Sequence, residues 1–185
     1  NGMNISVLFD QLRDVRKITQ IPIVLMGYLN PVYQYGYQNF VKSIIDCDID
    51  GVIIPDMPLN DYIKKFKNHF DKSNISFISL ISPNTSDERI KEIDNISNGF
   101  IYVVSSSSIT GKRSDFSDEQ INYFKRVGDL NLMNPKIIGF GISDKKTYQS
   151  ACKYSDGAII GTSFIKAISK NNLKESINNY ISAIR

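Results

Sequence analysis

The chain has 185 residues, 42% hydrophobic and 22% charged, with a formal net charge of +3. That balance suits one globular domain, and its basic residues form no run long enough to mark a nucleic-acid surface. Two cysteines about a hundred residues apart and a single histidine are too few for a cysteine/histidine metal centre, and the apolar runs are too short for a membrane span.

The first element is predicted as a helix from Asn4 to about Thr19. Val7, Leu8, Leu12, Val15 and Ile18 recur there at helical spacing, with Asp10, Arg13 and Lys17 between them. A strand follows from Pro22 to Tyr28. It ends in Tyr28-Leu29-Asn30-Pro31, where Asn30 caps the next turn or meets a partner. Tyr37, Phe40, Val41, Ile44 and Ile45 form a second helical stripe. The strand Gly51 to Pro55 leads to Asp56, flanked by Pro55, Met57 and Pro58. An acid at a strand end can act as a general base, but Asp56 shows no partner in the sequence, so a loop-ordering or interface carboxylate is the expectation. Tyr62, Phe66 and Phe70 make a third stripe. Lys64-Lys65-Phe66-Lys67 and Lys145-Lys146 read as solvated helix faces.

A strand from Ser76 to Ile81 precedes Thr85-Ser86-Asp87-Glu88, which reads as a capping box on Thr85, with Ile90, Ile93 and Ile96 as the buried face. The strand Phe100 to Val104 opens into a run of four serines, Ser105 to Ser108, a loop able to close over a ligand. Strands follow at Lys136 to Phe140 and Gly157 to Ile160. The last helix carries Leu173, Ile177, Tyr180, Ile181 and Ile184. Cys47 and Cys152 lie among apolar residues of predicted helices and read as buried, reduced thiols, which suits a reducing compartment.

All six strands are apolar nearly end to end, the mark of a parallel sheet covered on both faces. An open doubly wound sheet and a closed barrel both repeat such βα units. The strands are short and evenly spaced, and the glycine-rich turns sit at the last strand ends, which favours the barrel. A (β/α)8 TIM barrel has eight strands in about 250 residues. The expectation is therefore one TIM-barrel domain over residues 1–185 with about six βα units, its first two strands and first helix lying upstream.

The chemistry is expected at Gly139-Phe140-Gly141-Ile142-Ser143 and Ile160-Gly161-Thr162-Ser163. Gly141 and Gly161 let a backbone approach an anion, the following helix N-termini favour negative charge, and Ser143 and Thr162 add hydroxyl donors. Each turn alone equally suits a plain tight connection. Two in succession point to a phosphate.

In order, Pro22-Ile23-Val24-Leu25-Met26-Gly27-Tyr28-Leu29-Asn30-Pro31, Gly51 to Pro58, Ser82-Pro83-Asn84-Thr85, Phe100 to Ser105, Thr110-Gly111, Gly139 to Ser143 and Gly157 to Thr162 resemble the tryptophan synthase α chain family across the whole sequence. The resemblance implies retro-aldol cleavage of indole-3-glycerol phosphate to indole and glyceraldehyde 3-phosphate, without metal or organic cofactor in this subunit. It also implies a cytoplasmic setting and an α2β2 assembly with a β chain that takes the indole. It assigns phosphate binding to Gly111, Gly141, Gly161, Thr162 and Ser163, and the pocket wall to Tyr102 and Phe140. Met26, Tyr28, Ile53 and Leu80 pack around the indole, Thr110 belongs to the closing loop, and Asn30, Asp56 and Pro58 face the β chain. The family's catalytic glutamate and aspartate are expected upstream of Asn1, so no catalytic residue is assigned and the 185 residues alone are expected to be inactive. Ser108 stands where many relatives have glycine, and Ser106 where several have arginine. Two other readings remain: a non-catalytic module binding phosphate ligands or the β chain, and a different phosphate-binding barrel isomerase.

Overall fold

The computed structural model describes residues 2–105, 116–168 and 172–184. The chain divides into two compact units, Asn1–Ser79 with Ser97–Gly99, and Leu80–Ile96 with Phe100–Arg185.

In the first unit the Asn4 side chain accepts from the Val7 amide at 3.0 Å and starts helix α1, Ile5–Leu12. The helix stops seven residues before the expected Thr19 and gives way to a 3-10 turn, Val15–Lys17. Arg16 accounts for the break. Its guanidinium donates to the carbonyls of Ile21 and Asp48 and to the Asp50 carboxylate, which turns the chain and leaves Ile18 85% exposed.

Strand β1, Val24–Met26, runs parallel to β2, Gly51–Ile53, with Met26 level with Ile53. Strand β2 runs parallel to β3, Ser76–Ile81. The first two strands are shorter than their apolar runs, which include Pro22 and Pro55, residues with no N–H to give a ladder. Between β1 and β2 lie α2, Leu29–Tyr35, and α3, Tyr37–Asp46. The sequence reading missed α2. Pro31 falls in its first turn, where proline costs no helical hydrogen bond. Phe40, Val41 and Ile44 are buried as expected, but Ile45 is 44% exposed.

After β2, α4 (Leu59–Tyr62), a π turn (Ile63–Lys67) and α5 (Asn68–Lys72) run on without a gap. Tyr62, Phe66 and Phe70 are fully buried, and Tyr62 stacks on Phe77 of β3 at 3.8 Å and 13°. Lys65 and Lys67 pair with Asp61 and Asp71 on the solvent side. Cys47 is buried as expected.

The second unit contains α6, Asp87–Ile96, with Ile90 and Ile93 buried. Its cap lies one residue later than predicted. Ser86 Oγ accepts from the Arg89 amide at 3.3 Å, while Thr85 Oγ1 accepts from the Ser82 amide at 3.0 Å and closes the preceding turn. Asp94, buried near the end of α6, accepts from the amides of Met133 and Asn134 and fixes the chain just ahead of the strand that begins at Lys136.

Strands β4 (Ile101–Val104), β5 (Lys136–Gly139) and β6 (Gly157–Ile159) form a parallel ladder. Helices α7 (Asp118–Asp129) and α8 (Lys145–Cys152) carry capping boxes at Ser117/Gln120 and Asp144/Thr147. Helices α9 (Thr162–Ile168) and α10 (Leu173–Ile184) complete the unit. Ile184 is buried, but Leu173 and Ile181 of the predicted stripe are exposed. Cys152 is exposed, contrary to the buried thiol expected, because α8 turns Ala151 and Thr147 inward instead. Among the described residues no helix is long and apolar enough to cross a membrane, and no group of three or more His, Cys, Asp or Glu could hold a metal ion.

Candidate functional site

Val104 stands level with Gly139, and Gly139 with Ile159. The backbones leaving β4, β5 and β6 therefore emerge along one edge of the ladder. On that edge Tyr102 lies against Phe140, Gly141 follows β5 and Gly161 follows β6.

The Tyr102 side chain crosses directly over Gly139. A Cβ added at Gly139 would lie 2.1 Å from the Tyr102 hydroxyl oxygen. Glycine is required there because the ring fills the space a side chain would need. Tyr102 is 5% exposed, and burial pushes its phenol above the ordinary value. The Phe140 ring lies 5.9 Å from that of Tyr102, tilted by 58°, and is 43% exposed. These two aromatics form a wall with one sunken and one open member.

The turn after β5 is bent by two successive left-handed residues, Phe140 at φ +68° and Gly141 at φ +76°. For Phe140 that conformation is strained. Ser105 holds it in place. The buried Ser105 hydroxyl donates to the Phe140 carbonyl at 2.8 Å, and its amide donates to the Gly139 carbonyl at 3.2 Å. Gln120 Nε2 in turn donates to the Ser105 carbonyl at 2.9 Å.

The two glycine turns are capped differently. At α8 the Thr147 hydroxyl accepts from the amides of Ser143 and Asp144, and the Asp144 carboxylate accepts from the Thr147 amide at 2.8 Å. This helix start is filled by its own side chains, and the Ser143 amide is committed to the cap. At Gly161 an added Cβ would meet nothing within 4 Å. Gly161 and Thr162 are exposed, and the Gly161 carbonyl accepts from the Ile165 amide at 3.1 Å. The Ser163 hydroxyl is 2.5 Å from that of Tyr180 on α10.

Leu80 is half-buried in β3. Thr110 and Gly111 lie outside the described residues, as do Ser106 and Ser108. In the first unit Met26 and Tyr28 are exposed at the end of β1, while Ile53 beside Met26 is buried. Asn30 and Pro58 are exposed. Asp56 has the partner that the sequence did not show. Its Oδ1 accepts from the Leu29 amide at 2.9 Å, supplying the cap that Tyr28 does not give α2. The sequence reading also missed Ser105 as an anchor, Gln120 and Thr147. Only the capping boxes, Ser117 with Gln120 and Asp144 with Thr147, carried a local signal for the last two.

Comparisons with known proteins show the family and the fold. A family profile described as tryptophan synthase alpha chain matches residues 1–183. The tryptophan synthase alpha chain of Flavobacterium psychrophilum is 50% identical over 184 residues, covering 100% of this chain and 72% of that protein. The alpha chain of Flavobacterium johnsoniae is 49% identical over 185 residues, covering 100% and 73%. The tryptophan synthase A-subunit structure from Pyrococcus furiosus is similar with a TM-score of 0.83 at 26% identity, covering 100% of this chain and 74% of that one. A structure of the a2b2 complex of tryptophan synthase from the same organism matches with a TM-score of 0.83 at 27% identity, covering 100% and 75%. The fold is thus of the (β/α)8 TIM-barrel class, with six strand–helix units among the described residues.

Proposed function

Since the chain belongs to the tryptophan synthase alpha chain family, a lyase family, we propose that it serves the retro-aldol cleavage of indole-3-glycerol phosphate to indole and glyceraldehyde 3-phosphate. In that reaction the bond between the indole ring carbon and the glycerol chain breaks. The ring carbon gains a proton, and the adjacent hydroxyl loses one as the aldehyde forms. No metal or organic cofactor enters these steps.

The shared strand edge carries this reading. Gly141 and Gly161 follow neighbouring parallel strands whose ends are level. A phosphate between the two turns meets backbone amides, with the Thr162 and Ser163 hydroxyls as further donors, while Gly111 lies outside the described residues. Tyr102 and Phe140 then wall the pocket beside the phosphate, with Leu80 in the same compact unit. Phosphate binding of this kind holds a remote reacting bond in place. Acid–base work is assigned to no carboxylate of these residues. Asp56, the strongest candidate by position, is committed to the Leu29 amide.

The same reading makes the two compact units parts of one barrel domain, places the protein in the cytoplasm, and gives it a tryptophan synthase β chain as partner. Asn30, Asp56 and Pro58 form the meeting face.

Titration calorimetry with glycerol 3-phosphate tests the phosphate site. The protein should bind it, and Gly161→Asp, which sets a like charge beside the phosphate, should abolish the heat. Binding that survives the substitution removes the site from these turns.

A further inference from the structure

Two side-chain tethers join α2 to α4 and to the segment that enters it. At one end the Leu29 amide donates to Asp56 Oδ1 at 2.9 Å. At the other the Tyr33 hydroxyl donates to Asp61 Oδ2 at 2.5 Å. Lys65 braces the second tether. Its Nζ lies 3.0 Å from the Tyr33 oxygen, 3.1 Å from the Asp61 carboxylate and 4.7 Å from the Tyr33 ring centre.

The positions of these bonds matter more than their number. Asn30 lies between Leu29 and Tyr33, and Pro58 lies between Asp56 and Asp61. Each exposed residue is thus flanked by an anchor on both sides, and the anchors pair across the two segments. Partly exposed ion pairs of this kind contribute little to global stability. What the cluster supplies is a fixed spacing between two exposed residues, and a surface already held in its bound geometry loses less entropy on docking.

We propose that Asp61, with Tyr33 and Lys65, is the positioning group of a protein-interaction surface, holding Asn30 and Pro58 at the separation a partner requires. The proposal rests on the reading of that face as the meeting surface for a β chain. None of the three side chains need touch the partner. Asp61 acts through α2, and Tyr33 and Lys65 act through Asp61.

The test is calorimetric titration of the full protein with a purified tryptophan synthase β chain. Tyr33→Phe keeps the ring under Lys65 but removes the tether, and Asp61→Asn removes the acceptor's charge. Each should weaken the complex by about fivefold to tenfold, the scale of one lost ordering interaction. The double variant should bind less weakly than the sum of the two singles predicts, since both changes act on the same Tyr33–Asp61 contact. Asp61→Glu should recover part of the affinity. Thermal midpoints of the free variants should stay near the wild type, which separates positioning from a loss of folding. Unchanged affinity in both single variants overturns the proposal while the partner reading stands. A wild-type protein that fails to bind the β chain overturns both together.

Discussion

Phe140 occupies a backbone conformation that aromatic residues seldom adopt, and three side chains explain how it persists. Ser105 pins its carbonyl, Gln120 pins Ser105, and the Tyr102 ring crosses beside it over Gly139. The Gly139 position tests this packing directly. Gly139→Ala forces its new methyl group into the buried Tyr102 ring, which should cost about 3 kcal/mol, the upper range for overpacking. Adding Tyr102→Leu removes the obstructing ring atoms. The double variant should then be less destabilised than the sum of its parts, a coupling measurable by urea unfolding of the four proteins. Strict additivity would mean that Tyr102 does not occupy the space above Gly139. The sequence made the glycine turns legible because glycine is rare enough in strand ends to be noticed. It hid Ser105, whose bonds run to backbone atoms 34 and 35 residues away, and nothing in a run of four serines sets the first apart.

Elements were legible where one force shaped them. The six strands showed in the sequence because burial on both faces demands continuous apolar runs, and β3 has the predicted limits, Ser76–Ile81. Boundaries set by a single distant side chain did not show. Arg16 ends the first helix early, Asp56 starts α2 from 27 residues away, and Ser86 displaces the expected cap at Thr85. The cap of α8 follows local rules and yields a pH prediction. The Thr147 amide first, and its hydroxyl second, hold the Asp144 carboxyl below its ordinary value of 3.8. Its contribution to stability is therefore complete above that value and is lost as pH falls through the depressed folded value. Asn is as good an N-cap as Asp but does not titrate there. Asp144→Asn should match the wild type near neutral pH and lose less stability than it between about pH 5 and pH 3. Because Asp144 is largely exposed, the difference should be small. Urea unfolding at several pH values measures it, and parallel curves for the two proteins would exclude Asp144 as a source of acid lability.

At the scale of the whole molecule the open question is cooperativity between the two compact units. A ligand that binds only the folded state stabilises whatever unfolds together with its site. At about 100 times its dissociation constant the gain is about 2.7 kcal/mol. The proposed phosphate site belongs to the second unit, where Ile138 of β5 is buried, while Val52 of β2 is buried in the first. Backbone amides in such strands exchange with solvent mainly through the largest unfolding events. If the chain unfolds as one barrel domain, glycerol 3-phosphate should slow exchange at Val52 as much as at Ile138, although Val52 belongs to the unit without the phosphate turns. Hydrogen exchange followed residue by residue, with and without the ligand, reads this out. Slowing confined to Ile138 and its neighbours would mean that the units unfold independently. The single-domain reading would then fail while the phosphate site survived. Equal slowing at both strands would show that stabilisation at the two glycine turns spreads through the six-strand chain as a unit, as a fold of shared parallel strands requires.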